Sequence, residues 1–224
     1  LFRSYLLQPY FLMKLKLLII TCLIHSTLFA QKQLKEYELK AGDFLFQDLG
    51  EGELSNAIKK VTPNYNGQYF SHVGLITSYS NRLFVIEALD KHVDTVSIKT
   101  FLQRTQKEVY VGRIKSQYQQ LAKESSEQAK HYMGLPYDEM YLPDTNSIYC
   151  AELIYYSYKT CNRNNDFFKM QPMTFKDPTT HELFPGWVKY YKNYFQMEVP
   201  EGKLGINPGL LINDPRLEIY KLKE

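Results

Sequence analysis

The stretch YFSHVGLITSYSNRLFVIEALD, residues 69–90, contains two largely apolar runs separated by a short polar turn. Runs rich in Val, Ile, Leu and aromatic residues, with turn residues between them, predict two strands, 71–78 and 83–89, joined as a β-hairpin. Two titratable side chains, His72 and Glu87, stand inside these strands. Because burying an imidazole or a carboxylate without a partner is costly, the pair needs a structural or a chemical explanation.

The relative position of His72 and Glu87 depends on the length of the hairpin loop. Successive side chains of a strand point to opposite faces, so a loop with an even number of residues places both groups on one face, directly across or diagonal from each other. An odd loop places them on opposite faces. Gly74 shares the face of His72 and leaves room beside the imidazole. His92, just beyond the hairpin, is an alternative partner for the imidazole.

Cys150 lies near the start of the predicted helix YCAELIYYSYKTC. Asn146 or Ser147 is expected to cap this helix, which places the thiol in its first turn. The positive end of the helix dipole favours the thiolate there, and the unpaired backbone N–H groups of that turn can stabilise an oxyanion. Singly, Cys150, His72 and Glu87 each also have a purely structural interpretation. Together they are the components of a Cys-His-acid nucleophilic site.

The segment MKLKLLIITCLIHSTLFAQ, which starts at Met13, has the composition of a secretory signal peptide. Two lysines precede an apolar run that is too short to span a bilayer, and Ala30 supplies the small residue before the cleavage site. We expect residues 1–30, which comprise upstream residues and this signal peptide, to be removed. Residues 31–224 are expected to form a single exported domain, periplasmic or secreted.

The charge balance gives no indication of nucleic-acid binding. The whole chain carries 27 basic and 24 acidic residues. Residues 1–30 contain three basic residues and no acidic one, so the remaining chain has 24 of each sign. A nucleic-acid-binding protein normally shows a basic excess or a basic stripe, and we therefore expect no nucleic-acid partner.

Two cysteines, Cys150 and Cys161, remain after residue 30. In an exported protein a pair of cysteines first suggests a disulfide. Here both lie on one predicted helix, whose rise separates their Cα atoms by about 16 Å. A disulfide needs about 7 Å or less, so we expect the two thiols not to be joined to each other.

The rest of the chain predicts an α+β domain with one core, antiparallel strands and segregated helices. Strands are predicted in KAGDFLFQDL, HVDTVSI, EVYVGRI and RLEIYKL, and helices in LSNAIKKV, with Ser55 as its cap, and in residues 116–133. A further helix carries aromatic residues at helical spacing: Trp187, Tyr190, Tyr191, Tyr194 and Phe195. This pattern is typical of a core-facing helix. A lipid-binding wall or a membrane-surface contact is the alternative.

Five motifs in one order, GDFLF, SHVGLI, VIEA, GLPYD and YCAEL, resemble the permuted branch of the NlpC-like papain-fold superfamily. The chain is most similar to the amidases of the YiiX/YaeF type, and lecithin retinol acyltransferase is a more distant relative. In ordinary NlpC-type enzymes the cysteine helix precedes the Gly-Asp and His-Val-Gly strands, whereas in the permuted branch it follows them, as here. The resemblance implies a circularly permuted papain-like fold, with an antiparallel sheet or partial barrel packed against the cysteine-bearing helix.

The resemblance also implies roles for residues of this chain. Cys150 is the nucleophile, His72 the base and Glu87 the third, orienting residue, and no cofactor is needed. Ala151 departs from the family, many members of which carry serine at this position. Four further residues match the family pattern and are interpreted as structural: Asp43, Tyr137, Asp138 and Glu152. The remaining histidines show no metal-ligand spacing, so no metal site is expected.

These expectations describe an exported cysteine hydrolase that cleaves an amide or ester bond through an acyl-cysteine intermediate. An N-acyl or lipid-like substrate, or another cell-envelope substrate, competes with a peptidoglycan stem peptide. Two alternatives come from other classes: a lipid-binding protein that uses the same scaffold without turnover, and a structural cell-envelope protein with an inert cysteine.

Overall fold

The computed structural model describes residues 38–143 and 146–222, and the predicted signal peptide lies outside the described residues. The described residues from 39 onward form one compact unit. The strands are β1 (Phe44–Gln47), β2 (His72–Tyr79), β3 (Arg82–Leu89), β4 (His92–Ser97), β5 (Tyr110–Ile114), β6 (Gln171–Pro172), β7 (Leu204–Gly205) and β8 (Leu217–Lys221). The helices are α1 (Glu53–Val61), α2 (Ile98–Leu102), α3 (Gln119–Gln128), α4 (Cys150–Cys161), α5 (Pro185–Phe195) and α6 (Pro208–Ile212), with 3₁₀ turns at Ser116–Tyr118 and Ala129–Tyr132.

Six strands form an antiparallel sheet in the order β4-β3-β2-β1-β5-β8, and β6 pairs with β7 separately. Helices α3 and α4 pack against each other and against β2, near the middle of the sheet. The expected class is confirmed: the fold is α+β, and its antiparallel sheet packs against the helix that begins with Cys150.

The β2–β3 hairpin has the even loop on which the predicted geometry depends. Tyr79 pairs with Arg82, which leaves Ser80 and Asn81 as a two-residue loop. Both loop residues have positive φ, 47° and 63°, as a type I′ turn requires, and the twist of this turn matches that of the strands. The same strand register holds at the other end of the hairpin. It places the side chains of His72 and Glu87 on one face of the sheet.

The two faces of the sheet carry separate cores. On one face, Val73 belongs to the large core that also contains Ile154 of α4. On the opposite face, Ile76 and Val85 pack with Phe101 of α2. This division follows the alternation of side chains along a strand. It gives α4 one face of the sheet and α2 the other.

Gly74 allows α2 to approach the sheet. A Cβ atom at this position would lie 2.4 Å from Val85 Cγ1 and 2.9 Å from Phe101 Cε2. The aromatic ring of Phe101 therefore fills the space that the glycine leaves, and its centroid lies 5.8 Å from the centroid of the His72 ring. The room predicted beside the imidazole is occupied by a side chain of α2.

Two details of the fold differ from the sequence prediction. Ser55 does not cap α1, because the helix already begins at Glu53 and Gly52 occupies the N-cap position. Ser55 Oγ instead donates a hydrogen bond to Ser71 Oγ, at 3.0 Å. In addition, α2, α6 and the β6–β7 pair were not predicted, since each is too short to show a clear periodicity.

Helix α5 carries the aromatic residues seen in the sequence. Trp187 and Tyr191 are buried, and Trp187 Nε1 donates a hydrogen bond to the backbone oxygen of Ala57 in α1, at 3.0 Å. Tyr194, by contrast, is 72 % exposed. The core-facing interpretation is confirmed for the buried side of α5. Among the described residues, no helix combines the length and the apolar character needed to cross a bilayer.

Candidate active site

His72 and Glu87 meet inside the protein. His72 is the first residue of β2, and Glu87 lies near the end of β3. Both side chains are almost completely buried, and His72 Nε2 lies 2.6 Å from Glu87 Oε2. At this distance the carboxylate accepts the Nε2–H proton, which fixes the orientation and the tautomer of the imidazole. The structure therefore brings together the two residues that the hairpin pattern paired.

Cys150 is the first residue of α4, and its thiol lies close enough to His72 to raise the pKa of the imidazole. Because Nε2 of the ring faces Glu87, the other ring nitrogen, Nδ1, is the one left for the thiol. The backbone N–H of a first helical residue has no acceptor inside its helix. The site thus contains a thiol, an imidazole, an orienting carboxylate and a backbone donor close to the thiol.

The start of α4 differs from the prediction in its capping residue. Neither Asn146 nor Ser147 is the N-cap; Tyr149 takes this position with extended backbone, φ −98° and ψ 173°. Ile148 forms an isolated β-bridge with the preceding loop, so the chain stays extended until the residue before Cys150. Glu152 Oε2 accepts a hydrogen bond from the Tyr149 N–H at 3.4 Å, which confirms its structural role.

The electrostatics of the site favour a charged imidazole. Burial lowers the pKa of His72, but hydrogen bonds and charge interactions with Cys150 and Glu87 outweigh burial and raise this pKa to about 9. Burial raises the pKa of Glu87, yet the interactions of its carboxylate with His72, and then with Arg104, hold this pKa below its ordinary value. Near neutral pH, His72 is therefore protonated and Glu87 is ionised.

Arg104 adds a fourth side chain that the sequence did not indicate. Its Nη1 lies 2.5 Å from Glu87 Oε1, so each oxygen of the carboxylate has its own partner, His72 on one and Arg104 on the other. Arg104 stands in the polar segment QRTQK, where no motif or periodicity marks it. The position of Arg104 follows from tertiary structure, because packing of Phe101 on the sheet brings the residues that follow α2 next to β3.

His92 does not take the place of Glu87. It begins β4, pairs with Leu89 across the sheet and is exposed. The carboxylate, and not this second imidazole, holds Nε2 of His72. Of the two candidates for the third position, the structure places Glu87 against the imidazole.

Two of the carboxylates interpreted as structural bind backbone N–H groups, as expected. Asp43 accepts a hydrogen bond from the Lys40 N–H at 2.7 Å and also pairs with Arg113. Asp138 accepts hydrogen bonds from the N–H groups of Met140 and Leu142, at 2.9 and 2.8 Å. These contacts fix the turns of the GDFLF and GLPYD motifs.

An apolar pocket with a cavity volume of about 60 Å³ opens beside Cys150. Its walls are aliphatic and aromatic, and the aromatic side chains are those of Tyr137, Tyr141, Tyr149, Phe175 and Trp187. Burial raises the pKa values of Tyr137, Tyr141 and Tyr149 well above the ordinary value, so these phenols stay neutral. Cys150 therefore faces a neutral, largely apolar space.

The second cysteine lies at the opposite end of the same helix. Helix α4 runs without a break from Cys150 to Cys161, and both thiols are free, as predicted. Burial raises the pKa of Cys161, which disfavours its thiolate. The two cysteines therefore differ in environment, and Cys150 is the one beside the imidazole.

Known proteins share both the sequence pattern and the fold. The family described as permuted papain-like amidase enzyme, YaeF/YiiX, C92 family, matches residues 38–220. Uncharacterized protein YiiX of Escherichia coli (strain K12) is 28 % identical over 153 residues, which cover 66 % of this chain and 68 % of YiiX. The crystal structure of yiiX from Escherichia coli O157:H7, described as a metalloprotein, has a TM-score of 0.66 at 21 % identity, over 81 % of this chain and 96 % of that chain. The chain belongs to the permuted papain-like amidases of the YaeF/YiiX family, and its general activity is that of a cysteine hydrolase.

Proposed function

We propose that Cys150, His72 and Glu87 are the catalytic triad of an enzyme that cleaves an amide or ester bond through an acyl-cysteine. The observation that carries this proposal is the continuous contact from the thiol through the imidazole to the carboxylate, at the start of α4. Each member sits where its role requires, since the base touches the nucleophile and the acid touches the far nitrogen of the base.

The reaction follows from this arrangement in two halves. In the first, the Cys150 sulfur attacks the carbonyl carbon, the backbone N–H of Cys150 donates to the developing oxyanion, and the C–N or C–O bond breaks. His72 gives its proton to the leaving amine or alcohol, while Glu87 stabilises the imidazolium. In the second half, His72 takes a proton from water as the water attacks the thioester. The carboxylic acid leaves and the sulfur is free again.

The pocket supports an N-acyl or lipid-like substrate. The walls next to the thiol are aliphatic and aromatic, with side chains such as Ile58, Val61 and Ile206 beside the tyrosines. Burying an apolar acyl chain there is favourable by about 0.8 kcal/mol per CH₂ group. A peptidoglycan stem peptide carries several charged groups, and this lining offers them no charged partner. The acyl group of the substrate is therefore the part that enters the pocket.

The description of the related yiiX structure as a metalloprotein raises the question of a metal here. Within residues 38–143 and 146–222, no three His, Cys, Asp or Glu side chains are placed to hold one metal ion together. The described donor groups do not fit a protein-held metal, and we derive no step through one.

A panel of acyl anilides and esters with one common leaving group tests the proposal. The kcat/KM value should rise about fourfold for each added CH₂ group until the pocket is filled, which is the kinetic equivalent of about 0.8 kcal/mol. Cys150→Ala should abolish turnover, and a stem peptide should be a poor substrate. Faster cleavage of the stem peptide would favour the endopeptidase. Saturable binding of a fatty acid without any turnover would favour the non-catalytic lipid-binding protein.

A further inference from the structure

We infer that Arg104 is a positioning residue for the proposed reaction, which holds Glu87 ionised and turned toward His72. The inference rests on the proposed function, because it assigns Arg104 a role through the triad and no contact with the substrate. It starts from the division of the carboxylate between two partners. Glu87 Oε2 faces His72 Nε2 at 2.6 Å, and Glu87 Oε1 faces Arg104 Nη1 at 2.5 Å.

Both partners of Glu87, His72 and Arg104, also lie close to the aromatic ring of Phe101. The Phe101 ring lies 5.8 Å from the His72 ring, and Arg104 Cζ lies 5.9 Å from the centroid of the same phenyl ring. A cation at this distance from a ring centroid is attracted to it. Because Gly74 lets Phe101 reach the sheet, one helix positions the guanidinium and supports the imidazole at the same time.

The charges along this line alternate. A protonated imidazole, a carboxylate and a guanidinium follow one another from His72 to Arg104, and the Cys150 thiol adjoins the imidazole. A buried carboxylate is stable only when opposite charges and hydrogen bonds replace its hydration. Glu87 is almost wholly buried, while the Arg104 side chain is 26 % exposed. The guanidinium is therefore the member of this series of charged groups that lies nearest the solvent. Without it, Glu87 would keep only one charged partner.

Glu87 and Arg104 also line a second cavity of about 260 Å³, which is separate from the apolar pocket. The titratable and charged groups that face Glu87 or line this cavity are His72 on β2, Asp90 and Lys91 in the β3–β4 turn, His92 and Asp94 on β4, and Arg104 after α2. Of the two cations in the cavity wall, Arg104 forms an ion pair with Glu87, whereas Lys91 forms none with it among the described residues. Lys91 is therefore a matched control for a general change in charge.

The expected consequence is a shift in the acid limit of the site. Arg104 helps to hold the pKa of Glu87 below its ordinary value, so removing Arg104 lets Glu87 take up a proton at higher pH. A protonated Glu87 no longer stabilises the imidazolium that lies beside Cys150. If Arg104 only anchored the chain after α2, its removal would change the stability of the protein but not the pH of this acid limit.

The experiment measures the rate of Cys150 alkylation by iodoacetamide against pH, which requires no substrate. We expect Arg104→Ala to move the acid limb of this profile up by about one pH unit, so that alkylation is about tenfold slower in that range and little changed near pH 8. Arg104→Lys should restore most of the shift, and Lys91→Met should leave the profile in place. Free guanidinium, at concentrations far below those that unfold the protein, should return the Arg104→Ala profile toward the wild-type one through the second cavity.

Two results would overturn the role of Arg104. One is an unchanged acid limb in Arg104→Ala, with or without a lower melting temperature. The other is an equal shift in Lys91→Met, which would mean that any nearby cation suffices. Failure of the proposed function has a different signature, since wild-type protein would then cleave no acyl probe while the alkylation profiles still separate the variants.

Discussion

At the scale of single residues, the site is a row of polar side chains in which three charged groups, His72, Glu87 and Arg104, alternate in sign. His72 lies between Cys150 and Glu87, and Glu87 lies between His72 and Arg104. Burial alone would neutralise these groups, and the contacts reverse that tendency for His72 and Glu87. A change at one residue must therefore alter the proton affinity of the next.

The imidazole should report the removal of its sulfur partner. In Cys150→Ala, burial still lowers the pKa of His72, but the interaction with the thiol, which contributes most to raising it, is lost. The pKa of His72 should therefore fall below the wild-type value of about 9. A ¹H–¹⁵N NMR titration of the ring nitrogens measures this directly. Cys161→Ala is the matched control and should leave His72 unchanged. An identical titration curve in Cys150→Ala would show that thiol and imidazole do not interact.

Glu87 and His92 should differ sharply when they are replaced. Glu87→Gln keeps the size of the side chain but removes the charge that fixes and stabilises the imidazolium, and turnover should fall by about 10- to 10⁴-fold. His92→Ala should have little effect, because this side chain is exposed and away from the ring contact. The measurement is kcat on an acyl probe, with melting temperatures as a check on folding. An active Glu87→Gln together with an inactive His92→Ala would reverse the assignment of the third residue.

Parts of this site could be predicted from the sequence because they follow from local rules. The two-residue loop and the alternation of strand side chains are enough to place His72 and Glu87 on one face. The position of Cys150 at a helix start follows from helix-start signals. Arg104 could not be predicted, since its contact depends on how a five-residue helix docks on the sheet. The capping residue of α4 was missed because a tertiary β-bridge keeps Ile148 extended.

At the scale of elements, α2 and the β2–β3 hairpin support the site jointly. The helix packs on the sheet face opposite to α4, and its Phe101 lies beside the imidazole. Long amphipathic helices and strands with clear alternation were predictable, whereas α2 and α6, of five residues each, were not. Helix α2, which the pattern rules miss, thus supplies the aromatic contact with His72 and precedes Arg104, the second partner of Glu87 in the proposed triad.

Gly74 tests the docking of α2. Gly74→Ala places a Cβ within 2.4 Å of Val85 Cγ1 and 2.9 Å of Phe101 Cε2, so the strands and α2 must move apart. Overpacking of this kind costs about 1–3 kcal/mol of stability, and turnover should fall as Phe101 moves away from His72. Gly52→Ala, where an added Cβ meets nothing within 4 Å, is the control and should cost less stability, because it loses only the N-cap preference for glycine over alanine at the start of α1. Denaturant unfolding gives both values; equal stability of the two variants would contradict the tight contact.

At the scale of the whole molecule, two distant stretches of chain meet to form the site. His72 and Glu87 come from the hairpin in the first half, and Cys150 comes from a helix that follows β5 and α3. This order, with the cysteine helix after the strands, agrees with the family to which the chain belongs. Residue patterns alone predicted the α+β class and the antiparallel strands, and the resemblance predicted that these segments converge. Neither could define the shape of the apolar pocket, because its walls come from seven separate stretches of the chain.

The complete site should show a characteristic alkaline limit. The leaving group needs a proton from His72, whose folded-state pKa is raised to about 9. The protonated form is therefore present at neutral pH and is lost as the pH rises through about 9, and kcat/KM should fall over the same range. In Glu87→Gln one of the contacts that raises this pKa is removed, so the limit should move to lower pH. If the alkaline limit of kcat/KM is the same in Glu87→Gln as in wild type, Glu87 does not affect the protonation of His72.

The most direct test of the central claim is to trap the acyl group on the protein. Wild-type protein is mixed with a slowly hydrolysed acyl ester, quenched in acid, digested and examined by mass spectrometry. We predict that the acyl mass appears on the peptide that contains Cys150 and not on the peptide that contains Cys161, and that it disappears again as hydrolysis is completed. Cys150→Ala should carry no acyl group and show no turnover. Turnover that persists in Cys150→Ala, or hydrolysis by wild type without any acyl-Cys150 under conditions that trap thioesters, would contradict the account.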